Sequence, residues 1–216
     1  MKQLLTVANW KSNKTEKEAL EWFKNFPKTV YNPQNTGVVC PPFTLLAICK
    51  KLVLDNNLNL KIGGQDVSLF DSGAHTGEIN AKQLKEFADY VIIGHSERRQ
   101  MGEAENILEE KVKMANLNDL KVIYCISSLS QQIPEEVKII AYEPVFAIGT
   151  GTPDSPENAQ KMAEEIKKKN DVKTVLYGGS VTSQNVKSFI QMPGIDGVLV
   201  GGASLNPAEF SKILEA

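Results

Sequence analysis

The chain has 216 residues, with 24 Lys and Arg against 26 Asp and Glu, so its formal net charge is −2. A balance this close to neutral, with no long block of like charges, argues against a nucleic-acid-binding protein. No apolar run reaches the roughly 18 residues that a membrane span needs, and the N-terminal MKQLLTVANW does not predict a signal peptide. Length alone allows one domain, or two of about 100 residues each.

The three cysteines, Cys40, Cys49 and Cys125, form no CxxC pair, and His75 and His95 are the two histidines. These are too few soft ligands for a structural zinc site. We therefore expect reduced thiols in a cytoplasmic protein without a bound metal.

Short apolar runs rich in β-branched residues recur at nearly regular spacing along the chain. They are apolar throughout rather than alternating, which is typical of strands that are buried on both faces. The eight predicted strands are residues 4–8, 37–40, 60–63, 90–93, 121–125, 138–142, 174–177 and 197–200.

Amphipathic stretches that predict helices lie between most of these strands. A capping-box pattern at Thr15 and Glu18, and prolines directly after Ser155 and Asn206, indicate three helix starts. The predicted helices are residues 15–26, 43–54, 81–87, 104–115, 156–168, 183–190 and 207–214.

The alternation of strands and helices predicts parallel strands joined by right-handed crossovers. Eight such strands favour a closed (β/α)₈ barrel that forms a single domain over residues 1–216, with an open doubly wound sheet as the alternative. Such barrels typically need about 250 residues. The connection between strands five and six, at residues 126–137, is short and contains several serines and Pro134. We therefore predict a shortened or missing helix there, with at most two helical turns.

In a parallel barrel the functional site lies on the loops that follow the C-terminal ends of the strands. Asn9 and Lys11 follow the first predicted strand, His95 and Glu97 the fourth, and Glu143 the sixth. Glycine-rich segments follow the seventh and eighth strands. A cation, an imidazole, a carboxylate and backbone amides form a chemically coherent set.

Six longer motifs fall at the predicted strand exits or in the loops behind them. They are residues 9–11 (NWK), 73–78 (GAHTGE), 94–99 (GHSERR), 141–151 (AYEPVFAIGTG), 177–180 (YGGS) and 201–205 (GGASL). In this order and at these places they resemble the triosephosphate isomerase family over essentially the whole chain. The resemblance implies a cytoplasmic homodimer of glycolysis and gluconeogenesis that acts on a phosphorylated triose. It implies no cofactor, no metal, and no nucleic-acid or membrane partner.

The reaction that the resemblance implies is the interconversion of dihydroxyacetone phosphate and D-glyceraldehyde 3-phosphate through an enediolate. Glu143 would then be the base and His95 the electrophile. Triosephosphate isomerases are themselves a standard example of a histidine kept neutral by a helix N-terminus. Lys11 would stabilise negative charge, and Asn9 would orient Lys11. Glu97 would either transfer protons or hold the ion-pair network.

Phosphate binding, a mobile lid and a dimer contact are also implied by the resemblance. The expected phosphate ligands, in addition to Asn9 and Lys11, are Gly149, Ser180, Gly201 and Gly202. Residues 144–151 would form the lid, latched by Tyr177 and Ser180. The loop at residues 73–78, with Thr76 and Glu78, would insert into a second subunit, where Thr76 would approach Asn9 and Lys11 of the partner subunit.

Two departures from the family pattern carry predictions. Phe146 stands where the lid usually has Trp, and Ser127-Ser128 stand where Gly-Glu is usual. Because Phe has no N–H to donate to a carboxylate, the two losses are consistent with each other, and we predict altered lid stability rather than lost chemistry. The trimmed connection would either leave an apolar flank open as an assembly contact or repack locally.

Two other functions remain open from the sequence. The chain could be a binding or scaffold protein that keeps a phosphate pocket, or another phosphate-handling barrel enzyme. The presence of Lys11, His95 and Glu143 together favours an active isomerase over both.

Overall fold

The computed structural model of the chain describes residues 2–28, 32–147, 152–169 and 171–216. Its strands are β1 (Leu4–Asn9), β2 (Asn35–Cys40), β3 (Leu60–Gly64), β4 (Tyr90–Ile93), β5 (Lys121–Ile126), β6 (Ile139–Tyr142), β7 (Thr174–Tyr177) and β8 (Gly197–Val200). Its α-helices are α1 (Glu16–Asn25), α2 (Leu46–Asp55), α3 (Ala81–Lys85), α4 (Ser96–Gln100), α5 (Glu105–Leu117), α6 (Pro156–Lys169), α7 (Val186–Ile190) and α8 (Pro207–Glu215). Short 3₁₀ helices cover Phe43–Leu45, Val145–Ala147 and Gly202–Leu205.

The strands form one closed barrel in chain order. Every neighbouring pair is parallel, and β1 closes the barrel by pairing with both β2 and β8, where Val7 lies beside Val38 and Leu199. The predicted (β/α)₈ barrel is therefore confirmed, and the open doubly wound sheet is wrong. Closure brings the C-terminal ends of all eight strands to one mouth.

The apolar side chains form two layers, as expected for strands buried on both faces. One cluster fills the barrel interior and includes Val7, Ile92 and Cys125. A larger cluster lies between the strands and the surrounding helices, and includes Trp22 and Phe210. These two layers hold the strands rigidly, so the residues at their ends have fixed positions.

The predicted helix starts are confirmed by the capping contacts. Thr15 and Glu18 form a capping box at α1. Ser155 Oγ accepts from the N–H of Asn158, 3.1 Å away, at the start of α6, and Asn206 caps α8. No helix in the described ranges is long and apolar enough to cross a membrane.

Some predicted helix boundaries are wrong. The helix predicted from residue 43 begins as a 3₁₀ turn, and α2 proper starts at Leu46. The helix predicted from residue 183 starts only at Val186, because the side chain of Asn185 accepts from the Thr182 N–H at 2.8 Å and closes a turn there.

The connection between β5 and β6 contains no helix, as the sequence predicted. It does not leave an apolar flank open, however. The outward side chains of β5, Val122, Tyr124 and Ile126, are all buried, and Val137 is 2% exposed. Ile133 packs against the same outer core layer. Of the two outcomes considered, the connection has therefore repacked locally over the flank.

Candidate active site

Glu143 lies at the C-terminal end of β6 and is only 1% exposed. Its Oε2 accepts from the Ser96 N–H at 2.9 Å, and its Oε1 lies 3.1 Å from His95 Nε2. A β-carbon on Gly178, after β7, would lie 3.0 Å from the Cγ of Glu143 and 3.2 Å from a backbone oxygen. Glycine at this strand exit therefore leaves the room that the carboxylate needs.

Burial raises the pKa of Glu143 to about 7. The Ser96 N–H and the charge of Lys11 act in the opposite direction, because both favour the ionised carboxylate. A carboxylate whose pKa lies near neutral pH can both take up and release a proton, which is the property that a general base in a reversible reaction requires.

His95 is the N-cap of α4, and its Nδ1 accepts from the Glu97 N–H at 3.2 Å. This hydrogen bond assigns the proton of the neutral imidazole to Nε2, which lies beside Glu143. Burial, and then the charge of Lys11, lower the pKa of His95 to about 4. The imidazole is therefore neutral at physiological pH and presents an N–H donor to the barrel mouth.

Lys11 follows β1 with a φ of 52°, a left-handed conformation that is uncommon for a residue with a side chain. Asn9 Oδ1 accepts from the Lys11 N–H at 3.0 Å, and Gln65 Nε2 donates to the Lys11 carbonyl at 2.9 Å. The Lys11 ammonium lies 2.8 Å from Glu97 Oε1. The strained backbone is thus held from two sides, and the cation is directed across the mouth towards the loop after β4.

Gln65 is a residue of the site that the sequence motifs did not indicate. It belongs to none of the six motifs, and its only signal was a polar side chain directly after the glycine-rich exit of β3. The same amide also donates to the Cys40 carbonyl at 2.9 Å, so Gln65 joins the loop after β1 to the end of β2.

One cavity of about 470 Å³ at the C-terminal mouth brings most of the predicted site together. Its lining includes Asn9, Lys11, His95, Glu143, Ser180, Gly201 and Gly202. Glu97 reaches this group through Lys11. Gly149 lies outside the described residues. Thr76 and Glu78 lie apart from the lining, in a run of exposed residues at 71–78.

Two hydrogen bonds hold the described parts of the segment after Glu143 against the loop and strand end at β7. Ser180 Oγ donates to the Ala147 carbonyl at 2.7 Å, and the Tyr177 hydroxyl accepts from the Asp154 N–H at 2.8 Å. Phe146, directly before Ala147, is 63% exposed. Residues 148–151 of the predicted lid lie outside the described residues.

Cys125, at the end of β5, is fully buried, and burial raises the pKa of its thiol. A thiol held protonated in this way is a poor nucleophile, so Cys125 serves as packing behind Glu143. In the part of the chain that the structure describes, no group of three or more His, Cys, Asp or Glu side chains is arranged to hold a metal ion.

A parallel barrel with a carboxylate, a neutral imidazole and an ammonium at its C-terminal mouth defines an α/β-barrel enzyme built for acid–base chemistry. The sequence model of the family described as triosephosphate isomerase matches residues 4–216. The triosephosphate isomerases of Aquifex aeolicus and Shewanella denitrificans are each 37% identical to the chain, covering 97% and 99% of it and 98% and 96% of their own lengths. The chain belongs to the triosephosphate isomerase family and is an isomerase.

The same comparisons show that the chain is a shortened member of its family. The alignment with the Aquifex aeolicus protein has 243 positions, whereas the chain has 216 residues, so at least 27 positions have no residue in this chain. The helix-free connection between β5 and β6 is a place where a (β/α)₈ barrel can lose residues without breaking the strand order.

Proposed function

We propose that this protein interconverts dihydroxyacetone phosphate and D-glyceraldehyde 3-phosphate. The observation that carries the proposal is the contact of 3.1 Å between His95 Nε2 and Glu143 Oε1, inside a cavity that also holds Lys11. A base and a neutral hydrogen-bond donor so close together can act on a carbon and its neighbouring carbonyl in one step.

In the proposed reaction Glu143 removes a proton from the carbon next to the substrate carbonyl. The carbonyl oxygen takes up negative charge as the enediolate forms, and the Nε2–H of His95 donates to that oxygen. In the enediolate, the proton of the adjacent hydroxyl group is transferred to the former carbonyl oxygen, with His95 Nε2 as the proposed relay. The protonated Glu143 then returns its proton to the former carbonyl carbon, so the adjacent carbon becomes the new carbonyl and the isomer is complete. A positioned base contributes roughly 10²–10⁴ to the rate. No redox step or cofactor is needed, because atoms and electrons balance within the substrate.

Lys11 supplies positive charge for the enediolate and the substrate phosphate. Its strained backbone, held through Asn9 and Gln65, fixes the point from which the side chain extends. We assign Glu97 to the ion pair that orients the Lys11 ammonium, because the two groups are 2.8 Å apart and Glu97 is an exposed residue.

The phosphate group is proposed to bind against Ser180, Gly201 and Gly202, which line the cavity after β7 and β8. Phosphate sites formed by these two loops recur in (β/α)₈ barrels. Gly149 remains a ligand expected from the family resemblance alone.

Residues 144–151 are proposed to close over the substrate and exclude water. Support comes from two hydrogen bonds, one from Ser180 Oγ to Ala147 within the segment and one from the Asp154 N–H to the Tyr177 hydroxyl just after it. The exposed Phe146 cannot donate a hydrogen bond, and Ser128 instead contacts Ser130 Oγ at 2.7 Å. The expected consequence is an altered balance between open and closed lids with intact chemistry.

A homodimer is proposed on the basis of the exposed loop at residues 71–78. The Phe70 and His75 rings stack at 4.0 Å, which gives the loop a defined shape. A cavity of about 420 Å³, lined in part by Arg98 and Met101, lies beside it and could receive the same loop of a second copy.

The three buried, unpaired thiols fit the proposed cytoplasmic location.

The test of the proposed function is a coupled isomerase assay on the wild type, Glu143→Gln and Glu135→Gln. We expect kcat of Glu143→Gln to fall by roughly 10²–10⁴ with little change in KM, because the base is lost and the phosphate contacts are kept. Glu135, which is exposed on the trimmed connection, is the matched control and should keep wild-type activity. A wild-type protein without turnover would instead favour a binding or scaffold function.

A further inference from the structure

Arg99, on α4, is 13% exposed at its side chain and bonds to three separate parts of the barrel. Its Nε donates to the Gly94 carbonyl at 2.8 Å, its Nη2 to the Cys125 carbonyl at 3.2 Å, and its Nη1 to Glu105 Oε1 at 2.6 Å. One guanidinium therefore joins the ends of β4 and β5 to the first turn of α5. Only a planar group with several donors in fixed directions can satisfy all three acceptors at once.

A second pair of contacts holds the guanidinium itself in place. It lies over the ring of Tyr124, 5.4 Å from the centroid, and the Tyr124 hydroxyl donates to Glu105 Oε2 at 3.1 Å. Glu105 thus uses one oxygen for Arg99 and the other for Tyr124. Glu105 and Tyr124 both line a cavity beside the connection between β5 and β6, which has no helix.

The two carbonyls that Arg99 binds belong to the strand ends beside Glu143. Gly94 directly precedes His95 and has a φ of 72°, and a β-carbon there would lie 3.0 Å from Arg99 Nη2. Cys125 follows in the next strand, and its thiol is among the groups that favour the ionised form of Glu143. The guanidinium is therefore bonded to the backbone at two points, one that positions His95 and one that positions the Cys125 thiol beside Glu143.

We propose that Arg99 is a positioning residue for the Glu143–His95 pair, and that Glu105 and Tyr124 hold its guanidinium in the productive orientation. The inference rests on the proposed function, in which that pair moves the proton. Arg99 itself does not line the cavity and touches no substrate atom in this scheme. Its effect is on where the loop after β4 and the end of β5 hold His95, Ser96 and Cys125.

The test compares Arg99→Lys and Tyr124→Phe with Val137→Ala, a variant that loses packing far from the pair. Arg99→Lys keeps the positive charge but loses the planar guanidinium that binds three acceptors at once. We expect kcat to fall about 10²-fold with KM unchanged, which is the cost of misplacing a catalytic group by about 1 Å. Tyr124→Phe should give a smaller fall in the same direction. Val137→Ala should lose stability and keep its kcat.

A second readout follows the protonation of Glu143 without turnover. Difference infrared spectra, each variant against its own Glu143→Gln form, report the pH at which this carboxyl group ionises. Because a displaced Ser96 N–H and Cys125 thiol stabilise the carboxylate less well, the Glu143 pKa should rise in Arg99→Lys. Tyr124→Phe, the milder change, keeps the test available if Arg99→Lys does not fold.

The outcomes separate this inference from the proposed function. A wild type that turns over substrate, with Glu143→Gln inactive and Arg99→Lys unchanged in kcat and in the Glu143 titration, overturns the positioning role alone. A wild type without turnover contradicts the proposed function, and the infrared titration then decides the positioning role. Whether or not the wild type turns over substrate, the positioning role is overturned if Glu143 has the same pKa in Arg99→Lys as in the wild type.

Discussion

Burial moves the pKa values of Glu143 and His95 in opposite directions, and both shifts suit the reaction proposed for them. In each case the dry environment disfavours the charged form, which raises the pKa of the acid to about 7 and lowers that of the imidazole to about 4. Between these values His95 remains a neutral N–H donor while Glu143 exchanges a proton. At this scale the chemistry depends on burial as much as on residue type.

The raised pKa of Glu143 predicts a pH-dependent stability. The unfolded chain releases this proton near the ordinary value of 4.5, whereas the folded protein keeps it up to about pH 7. The stabilisation is therefore complete below pH 4.5 and is lost as the pH rises to 7. Relative to Glu143→Gln, the wild type should lose roughly 3 kcal/mol of unfolding free energy between pH 4 and pH 8. Denaturant unfolding of both proteins across this range measures it.

Because the prediction concerns a change with pH, a constant offset caused by the glutamine amide does not affect it. A difference between the two proteins that stays the same from pH 4 to pH 8 would show that Glu143 titrates at the same pH in both states. That result would contradict the account of burial given above.

The sequence was sufficient to propose Lys11, His95 and Glu143 as candidates, because each lies within two residues of a strand end and belongs to a motif, and the structure places all three at one cavity. Gln65 follows β3 but belongs to none of the motifs, and Arg99 lies in the motif at residues 94–99 without any sign of what it contacts. Their contacts join loops that are distant in the chain, and the direction of a side-chain hydrogen bond depends on the three-dimensional structure. The pKa values likewise follow from burial, which no motif reports.

At the scale of elements, the connection from β5 to β6 shows how a barrel can do without one helix. Its apolar side chains take over part of the covering that a helix would give, and the Gln131 Oε1 accepts from the N–H groups of Ser127 at 2.6 Å and Ser128 at 3.1 Å. The polar backbone of the turn is thus satisfied locally.

Val137 is the fully buried part of this covering, and its truncation tests the importance of the repacked segment. Val137→Ala should lower the unfolding free energy by about 2 kcal/mol, because two buried methyl groups are removed and a cavity remains. Leu117→Ala is the matched control, since Leu117 is 77% exposed and should change stability little. Equal unfolding free energies for the two variants, measured with denaturant, would argue that the segment contributes no packing.

The absence of a helix after β5 was predictable because residues 126–137 are too few for a full crossover helix with its turns. What covers the flank was not predictable. A partly apolar segment of 12 residues could pack over the flank or project into solvent. Only the three-dimensional structure shows that it packs over the flank. Helix boundaries failed for a similar reason at Asn185, where a side chain competes with the helix for backbone hydrogen bonds.

At the scale of the whole molecule, barrel closure brings residues from β1, β4, β6, β7 and β8 to one mouth. The alternation of strands and helices was enough to predict this architecture, because parallel strands with right-handed crossovers allow few arrangements. The proposed homodimer does not follow from this alternation, because it would depend on contacts between a surface loop and a second copy of the chain.

The proposed homodimer predicts that the loop at residues 71–78 controls both mass and activity. Thr76→Arg introduces a long charged side chain at the tip, so it should give a monomer and lower kcat about 10²-fold, because displaced catalytic groups are costly. Thr76→Ser, which keeps the hydroxyl, should remain dimeric and active. Sedimentation equilibrium with parallel assays checks both, and a fully active Thr76→Arg monomer would contradict the proposal.

The most direct measurement of the central claim is solvent deuterium exchange, because the claim is that Glu143 carries a proton between adjacent carbons of the substrate. With dihydroxyacetone phosphate in D₂O, NMR should detect deuterium entering the carbon next to the carbonyl in the presence of the wild type. Glu143→Gln should lose this exchange in the same proportion as isomerisation, roughly 10²–10⁴. Exchange at the wild-type rate in Glu143→Gln would contradict the account.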